Sequence, residues 1–248
     1  MNFIAIIPAR YASTRFPGKP LADLCGKPVI QWVYEKASEV IPNVCVATDD
    51  MRIVDAVTAF GGKACMTSPN HKSGTDRICE AYHSITSDAD VVINVQGDEP
   101  FISRLQLETL MSCFDNPHTD IATLAMPITI EHGLDELLNP NNVKVVFSEL
   151  TGKALYFSRS VVPYLRGVEQ SQWLSQGKFY KHIGVYAYKA KVLDEITKLP
   201  QSPLEKYESL EQLRWLESGY QIAVKPCPVA SIGIDTPDDL EHARQYMQ

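Results

Sequence analysis

Residues 3–19 read FIAIIPARYASTRFPGK, and this stretch decides the fold. Its first five residues form a continuous apolar run, which is typical of a strand buried on both faces at the centre of a parallel sheet. A loop rich in Gly and Pro follows, and it carries Arg10, Arg15 and Lys19 before the first acidic residue, Asp23. Ligands of open α/β sheets bind beyond the carboxyl ends of the strands. The loop therefore predicts a site for an anionic ligand at the sheet edge.

Apolar runs alternate with helical patterns along the rest of the chain. Up to Asp98 the predicted strands are 44–47, 63–66 and 91–95, and the predicted helices are 28–40, 51–60 and 75–85. Beyond Asp98 we predict helices at 103–114, 189–197, 208–218 and from Pro237, and strands at 121–126, 143–147, 153–158, 180–188 and 221–225. Strands that alternate with helices predict βαβ units and a parallel sheet. The fold class is α/β, with a Rossmann-like three-layer core, a β-rich insertion at 120–190 and an exposed loop at 168–178.

Composition narrows the class of protein. A chain of 248 residues fits one nucleotide-binding core with an inserted subregion. The net charge of −7 argues against a nucleic-acid binder, whose phosphate contacts need a basic face. The apolar run at the N-terminus is too short for a secretion signal, and no stretch approaches the roughly 18 apolar residues of a membrane span. We expect a cytoplasmic protein with no membrane span.

The spacing of the cysteines and of five histidines indicates no redox or metal-binding motif. The six cysteines are far apart with no C-x-x-C pair, which predicts reduced core thiols and a cytosolic setting: Cys25, Cys45, Cys65, Cys79, Cys113 and Cys227. Five histidines have no metal-ligand spacing among themselves and are predicted on the surface or in loops: His71, His83, His118, His132 and His242.

The cations of the first loop fit a polyphosphate. Gly18 permits close approach of backbone to ligand, and the three cations can neutralise its charge. Exposed cations are also common on solvated surfaces, but these directly follow the central strand and have no acidic neighbours in the loop. The glycine patterns of P-loop and dinucleotide-binding proteins are both absent, which disfavours a P-loop kinase and a nicotinamide-dependent oxidoreductase.

Two acidic segments predict a Mg²⁺ site. Residues 91–102, VVINVQGDEPFI, place Asp98 after a buried strand at the same sheet edge, and Mg²⁺ takes one or two protein carboxylates together with phosphate oxygens and water. Glu99 is either a second ligand or a structural acid. In SIGIDTPDDL, residues 231–240, Ile232 and Ile234 deliver Asp235 to the start of the last helix. Asp235 could simply cap that helix, but Thr236 can take this role, which leaves Asp235 for the metal.

These segments resemble a known family. The motifs that carry the resemblance are IIPARYASTRFPGKPL from residue 6, SGTDR at 73–77, VINVQGDEP at 92–100, YKHIGVYAY at 180–188, LEKYESLEQLRWLE at 204–217 and GIDTPDDL at 233–240. In this order, and over essentially the whole chain, they resemble the 3-deoxy-manno-octulosonate (Kdo) branch of the sugar-acid cytidylyltransferases. Sialic-acid cytidylyltransferases share the plan, but their first loop differs from YASTRFPGKPL.

The resemblance implies a function and a set of site residues. The implied enzyme is a single nucleotidyltransferase domain that makes CMP-Kdo from CTP and Kdo for lipopolysaccharide synthesis, with Mg²⁺ held by Asp98 and Asp235. The implied CTP-binding residues are Pro8, Ala9, Arg10, Arg15, Lys19, Ser73, Gly74, Arg77 and Asp98. The implied catalytic residues are Arg10, Lys19, Asp98 and Asp235. From the residues alone, Ser73 and Gly74 also suit a turn, and Asp76 with Arg77 a helix start.

For the sugar acid the resemblance implies Gln96, Arg159, His182, Tyr186, Glu208, Glu211 and Asp235. A polyhydroxy carboxylate needs a cation for its acid group and acceptors for its hydroxyls. His182, Gly184 and Tyr186 share one face of a strand, and Glu208 with Glu211 would share one side of a helix. Each of these could instead be structural.

Alternatives remain open at this point. The acceptor could be a sialic acid or a methylerythritol phosphate, or the chain could be a regulatory domain that binds nucleotide without turnover. The resemblance also implies a homodimer built on the insertion at 120–190.

Overall fold

The protein is described here from a computed structural model that covers residues 1–85, 88–229 and 233–247. The chain divides into two compact units. The first unit comprises Met1–Glu108, Val185–Thr197 and Ser231–Gln248, and the second comprises Thr109–Gly184 and Lys198–Ala230. The predicted insertion at 120–190 lies in the second unit as far as Gly184.

Strands and helices alternate over much of the described chain. The strands are β1 (Phe3–Ala9), β2 (Asp23–Leu24), β3 (Lys27–Pro28), β4 (Val44–Thr48), β5 (Ala64–Met66), β6 (Val91–Asn94), β7 (Ile121–Ile128), β8 (Lys144–Phe147), β9 (Ala154–Ser158), β10 (Phe179–Lys189) and β11 (Ile222–Pro226). The helices are α1 (Val29–Ser38), α2 (Met51–Ala59), α3 (Gly74–Ser84), α4 (Arg104–Met111), α5 (Gly133–Leu138), α6 (Trp173–Gln176), α7 (Ala190–Ile196), α8 (Pro203–Glu208), α9 (Glu211–Glu217) and α10 (Pro237–Tyr246). Short 3₁₀ helices lie at Lys19–Leu21, Ser112–Asp115, Ile130–His132 and Gln170–Gln172.

The first unit is built around β1. This strand pairs in parallel with β4 on one side and with β6 on the other, and β5 pairs in parallel with β4. The part of β10 that belongs to this unit runs antiparallel to β6, with Tyr186 opposite Asn94. Helices α1, α2 and α3 pack against these strands. Ile4 to Ile7 are buried, so the predicted central strand and the predicted α/β class with a mostly parallel sheet are confirmed.

The second unit has its own strands and core. β7 pairs in parallel with β11, and β8 pairs antiparallel with β9 and with the first half of β10. A hydrophobic cluster joins Ile128, Leu137, Trp173 and Phe179. The sequence pattern did not fix the pairing of β8 and β9, because these two strands are short and only partly buried.

Two predicted elements differ from the structure. The helix predicted at 208–218 corresponds to α9 (Glu211–Glu217) but starts three residues later, because Ser209 adopts a left-handed conformation (φ 53°) that ends the separate helix α8 at Glu208. The exposed loop predicted at 168–178 contains a 3₁₀ turn and α6. Trp173 in α6 is buried, where its ring stacks on Phe179 and its indole N–H donates to the Val168 carbonyl at 3.0 Å.

The state of the cysteines and the length of the helices can be compared with the predictions of core thiols and of no membrane span. All six cysteines are free, and burial raises the pKa of Cys45 to about 12 and that of Cys113 to about 11, so both are protonated thiols. Cys25 is exposed, so the prediction of a core thiol is wrong for that residue. Within the described ranges, no helix has the length and apolar character needed to cross a bilayer.

Candidate functional site

A cleft of about 270 Å³ opens at the carboxyl ends of the parallel strands of the first unit. Every residue predicted for the nucleotide and the metal lines it, together with Gln96 from the predicted sugar set. The lining residues are Pro8, Ala9, Arg10, Ser13, Arg15, Lys19, Pro20, His71, Lys72, Ser73, Gly74, Arg77, Gln96, Gly97, Asp98 and Asp235. Four segments that are far apart in sequence therefore meet at one place.

The centre of the cleft is a cluster of opposite charges. The Lys19 ammonium donates to Asp98 Oδ2 at 2.6 Å and to Asp235 Oδ1 at 3.2 Å. Arg15 Nη2 also donates to Asp235 Oδ1, at 3.0 Å. The two aspartates, predicted to meet, do so, because both contact one ammonium. Two of the loop cations, Arg15 and Lys19, therefore do have acidic partners, which the local sequence could not reveal since the acids come from other segments.

Backbone contacts hold the two acids together. The Ile234 N–H donates to the Asp98 carbonyl at 2.9 Å, which joins their two segments. Thr236 is the N-cap of α10, and its hydroxyl accepts from the Asp239 N–H at 3.2 Å while the Asp239 carboxylate accepts in return from Thr236. The prediction that Thr236, rather than Asp235, caps this helix is confirmed. Ile232, predicted to help deliver Asp235, lies outside the described residues.

Two glycines allow the loops to come close. A Cβ at Gly97 would lie 2.7 Å from the carbonyl oxygen of Pro8, so only glycine lets the segment that bears Asp98 approach the end of β1. Gly18 has φ 74°, a left-handed conformation that glycine adopts at little cost. A Cβ there would lie 3.1 Å from the Tyr11 ring.

Tyr11 is itself held from outside the loop. The Arg52 guanidinium lies over its ring at 3.3 Å from the centroid, and Arg52 makes a two-pronged ion pair with Asp50 at 2.8 and 2.6 Å. This stack supports the loop from the first turn of α2.

Arg10 differs from the other loop cations. It is exposed at the cleft and, among residues 1–85, 88–229 and 233–247, no acidic group forms an ion pair with it. An exposed guanidinium beside a cleft can bind a phosphate in two-pronged fashion without first breaking another contact.

Residues of α3 contribute mainly structure to the cleft. Ser73 is the N-cap of α3, and its hydroxyl accepts from the Asp76 N–H at 3.1 Å. Arg77, predicted to bind CTP, is buried, and its terminal nitrogens donate to Thr67 Oγ1 at 2.6 Å and to Asp49 Oδ2 at 2.8 Å. Its guanidinium thus ties α3 to the residues that follow β4 and β5.

The cleft fits a Mg²⁺ ion at Asp98 and Asp235. Two partly exposed carboxylates converge there, and Mg²⁺ prefers one or two protein carboxylates with remaining positions for phosphate oxygens and water. Lys19 supplies the positive charge between the carboxylates in this structure. Glu99, the alternative ligand, does not line the cleft.

Five lining residues were not in the predicted site set. They are Ser13, Pro20, His71, Lys72 and Gly97. His71 pairs with Glu80 of α3, and this hydrogen bond lowers the pKa of the Glu80 carboxyl. The sequence did contain a sign of His71 and Lys72, because these two basic residues stand directly before the predicted Ser73.

In the second unit, two of the predicted sugar-binding residues contact each other. Glu208 accepts from the Ser158 hydroxyl at 2.7 Å and from the Arg159 N–H at 2.9 Å, and Arg159 Nε donates to the Glu208 carbonyl at 2.7 Å. Glu211 accepts from Arg214 Nη2 at 2.6 Å. The prediction that Glu208 and Glu211 share one side of a single helix is wrong, because one ends α8 and the other begins α9.

His182 and its neighbours on β10 are packed differently from one another. His182 Nε2 lies 3.0 Å from Thr123 Oγ1, whose hydroxyl also donates to the Ile183 carbonyl, and the His182 ring meets Phe157 edge to face. Burial lowers the pKa of His182 to about 3, so its imidazole is neutral. A Cβ at Gly184 would meet no described atom within 4 Å. In the first unit, Tyr186 is buried and stacks on Tyr188.

Comparison with known proteins gives consistent results. Residues 4–222 match the family described as Cytidylyltransferase. The chain is 57% identical over 248 residues to 3-deoxy-manno-octulosonate cytidylyltransferase of Parabacteroides distasonis, covering 100% of this chain and 98% of the relative. It is 58% identical to the protein of the same description from Phocaeicola vulgatus, with the same coverage. A solved structure of CMP:2-keto-3-deoxy-manno-octonic acid synthetase complexed with CTP superposes with a TM-score of 0.91 at 45% identity, covering 100% of this chain and 98% of the other.

Proposed function

The chain belongs to the 3-deoxy-manno-octulosonate cytidylyltransferase family, and from this premise we propose how its cleft carries out the reaction. The reaction is the CTP-dependent activation of Kdo to CMP-Kdo, with release of pyrophosphate. The observation that carries the proposal is the convergence of Asp98 and Asp235 on Lys19, in a cleft that also holds Arg10 and Arg15.

The residues of the cleft divide between the parts of CTP. Pro8 and Ala9 offer backbone groups for the pyrimidine, since both lie at the end of the central strand and Pro8 lies beside Gly74. Arg10 and Lys19 bind the triphosphate, and Arg15 adds charge nearby. Arg77 holds the start of α3 in place rather than binding phosphate, because its guanidinium contacts Thr67 and Asp49. Ser73 lies beside the base while its hydroxyl caps α3.

Asp98 and Asp235 hold Mg²⁺ when CTP is bound. When bound, the ion supplies charge neutralisation at the phosphate oxygens and lowers the pKa of a nearby hydroxyl. For the ion to bind, the Lys19 ammonium has to leave the carboxylates. A triphosphate in the cleft provides its new partner, so nucleotide binding and metal binding support each other.

The chemical step is an in-line displacement at the α-phosphorus. The anomeric hydroxyl oxygen of Kdo forms a bond to this phosphorus, the bond to the oxygen that bridges the α- and β-phosphates breaks, and pyrophosphate leaves with the electron pair. The Asp235 carboxylate accepts the hydroxyl proton. Because charge accumulates on phosphate oxygens, Arg10 and Lys19 accelerate the step by holding positive charge in place beforehand.

Kdo contacts are proposed in each unit separately. In the first unit, Gln96, Tyr186 and Asp235 contact the sugar, and Gln96 already lines the cleft. In the second unit, Arg159 binds the sugar carboxylate and neutral His182 exchanges hydrogen bonds with a hydroxyl. Glu208 orients Arg159 through the contacts between them, and Glu211 completes the set. The open space at Gly184 supports a ligand beside β10.

We also propose that the chain forms a homodimer through the segment 120–190 and acts in the cytoplasm. Several large apolar side chains of that segment are exposed, among them Leu150 (94%), Ile130 and Leu155. Exposed apolar side chains of this size are typical of interaction surfaces when they group together. Light scattering coupled to gel filtration tests this: a mass of two chains is expected, and a mass of one chain at micromolar concentration contradicts it.

The function is tested by pyrophosphate release from CTP and Mg²⁺ with Kdo, a sialic acid and methylerythritol phosphate as acceptors. Kdo is expected to give a kcat/KM at least roughly 100-fold above the others. Asp98→Asn is expected to lower turnover by at least roughly 100-fold while the protein stays folded. Asp55→Asn, an exposed acid on α2 outside the cleft, is the matched control and keeps full activity. Preference for another acceptor overturns the assignment, and near-normal turnover of Asp98→Asn at limiting Mg²⁺ removes Asp98 from the metal site.

A further inference from the structure

A second cluster of ligand-type side chains lies on the first unit, outside the cleft. Cys79 and His83 are four residues apart on α3 and so lie on the same face of that helix. Asp194, on α7, meets them there. One donor atom from each of the three side chains lies within 4.8 Å of the other two. None of the three lines the cleft.

The geometry of the cluster is close to that of a metal site. Asp194 Oδ1 lies 2.5 Å from His83 Nε2 and 3.4 Å from Cys79 Sγ. In a tetrahedral zinc site, ligand bonds of about 2.0 to 2.3 Å separate neighbouring donor atoms by roughly 3.3 to 3.8 Å. The thiol and carboxylate already have this separation. The imidazole and carboxylate need to part by somewhat less than 1 Å, which rotation of the exposed His83 side chain permits.

The kinds of donor atom select the kind of ion. Thiolate, imidazole and carboxylate together suit Zn²⁺ and similar borderline divalent ions, whereas Mg²⁺ prefers oxygen ligands alone. The imidazole of His83 is 58% exposed and the Asp194 side chain 32%, so water can complete the coordination. Thr197 adds an outer contact, since its hydroxyl lies 3.7 Å from Cys79 Sγ.

We propose that Cys79, His83 and Asp194 form a binding site for Zn²⁺, distinct from the Mg²⁺ site of the cleft. On binding, three bonds form from Zn²⁺ to sulfur, nitrogen and oxygen, and the thiol proton of Cys79 passes to solvent. The bound ion fastens α3 to α7. Because Ser73 caps α3 and Arg77 lies on it, the site is connected through one helix to the wall of the cleft.

The test is a Co²⁺ titration of the full chain with Mg²⁺ present in excess, so that Mg²⁺ competes with Co²⁺ for the carboxylates of the cleft. Co²⁺ bound to a thiolate gives an intense near-ultraviolet charge-transfer band, and this band is expected at one equivalent and is expected to disappear on addition of Zn²⁺. Cys79→Ser keeps a polar contact with Asp194 but removes the sulfur, so the band is expected to be lost. His83→Ala and Asp194→Asn are expected to weaken binding at least tenfold.

Cys25→Ala is the matched control, because Cys25 is the exposed cysteine elsewhere on the first unit. This variant is expected to retain the band. In a second measurement, Zn²⁺ at about 100 times its Kd is expected to raise the Tm of the wild type by roughly 5 to 10 °C, but not that of Cys79→Ser. The proposal is overturned if no thiolate band forms, if Cys25→Ala removes it, or if Cys79→Ser binds Co²⁺ as tightly as the wild type.

Discussion

Replacing Lys19 by methionine tests the charge cluster of the cleft directly. Methionine keeps the length of the lysine stem but removes the ammonium that lies 2.6 Å from Asp98 and 3.2 Å from Asp235. Two carboxylates then face each other without the cation between them. We expect the folded state to lose stability and Mg²⁺ to recover part of it, since the ion takes the place of the missing charge.

The size of the effect follows from distance and exposure. Opposite unit charges at about 4 Å attract with about 4 kcal/mol at an effective dielectric constant of 20. Solvent reduces this here, because the side chains of Lys19, Asp98 and Asp235 are 13%, 31% and 47% exposed. We therefore expect Lys19→Met to lower the free energy of unfolding by about 1 to 3 kcal/mol. This lies between the value of an exposed ion pair and the cost of breaking a buried one. For a chain of this size the Tm falls by roughly 2 to 10 °C.

The assay is thermal unfolding followed by circular dichroism, with and without Mg²⁺ and in the absence of CTP. The Tm of Lys19→Met is expected to rise more with Mg²⁺ than that of the wild type. Lys36→Met is the control, because Lys36 contacts Glu39 at 2.9 Å with both side chains well exposed (39% and 45%), so it should cost less than about 1 kcal/mol. Equal Mg²⁺ shifts in Lys19→Met and wild type, or a Lys19→Met protein as stable as Lys36→Met, would refute the reasoning.

Three further changes have defined outcomes. Thr236→Ala removes the hydroxyl that accepts from the Asp239 N–H, so chemical denaturation should show a loss of about 1 kcal/mol, and an unchanged midpoint would contradict the capping role. Gly97→Ala places a Cβ 2.7 Å from the Pro8 carbonyl, so we expect a loss of about 1 to 3 kcal/mol and weaker CTP binding by calorimetry; wild-type values for both would show that the close approach is unimportant. His182 has a folded pKa of about 3 against about 6.5 when unfolded, so the unfolded chain binds the proton first and stability falls as pH drops from about 6.5 toward 3. Urea unfolding at pH 7.5 and at pH 5 should therefore show that the free energy of unfolding falls more for the wild type than for His182→Gln. Identical decreases in the two proteins would place His182 in contact with solvent.

The sequence was most informative where strand ends and helix caps leave few choices. The apolar run from Phe3 to Ile7 is typical of a buried strand, and this predicted the position of the loop after it at the sheet edge. The choice between Asp235 and Thr236 as helix cap was decidable because threonine is a good cap and a carboxylate before it is then available for other contacts. From these two facts the centre of the cleft could be predicted.

Side-chain partners across long distances in sequence were less predictable. Arg77 was expected to face a ligand, but Thr67 and Asp49 hold its guanidinium. No local pattern reveals such a contact, because it depends on how α3 is placed against β4 and β5. Glu208 and Glu211 were assigned to one helix because helical periodicity continues through Ser209, and its left-handed backbone is not a usual property of serine.

The central claim is that Asp98 and Asp235 share a divalent ion while the loop cations hold CTP. It is tested most directly by a crystal structure of the full chain with CTP and Mn²⁺ in place of Mg²⁺, with anomalous scattering used to locate the metal. We expect an anomalous peak bonded to carboxylate oxygens of both aspartates, with the Lys19 ammonium moved onto a phosphate oxygen. A peak bonded to neither aspartate, or a Lys19 that still joins them with CTP bound, would contradict the account.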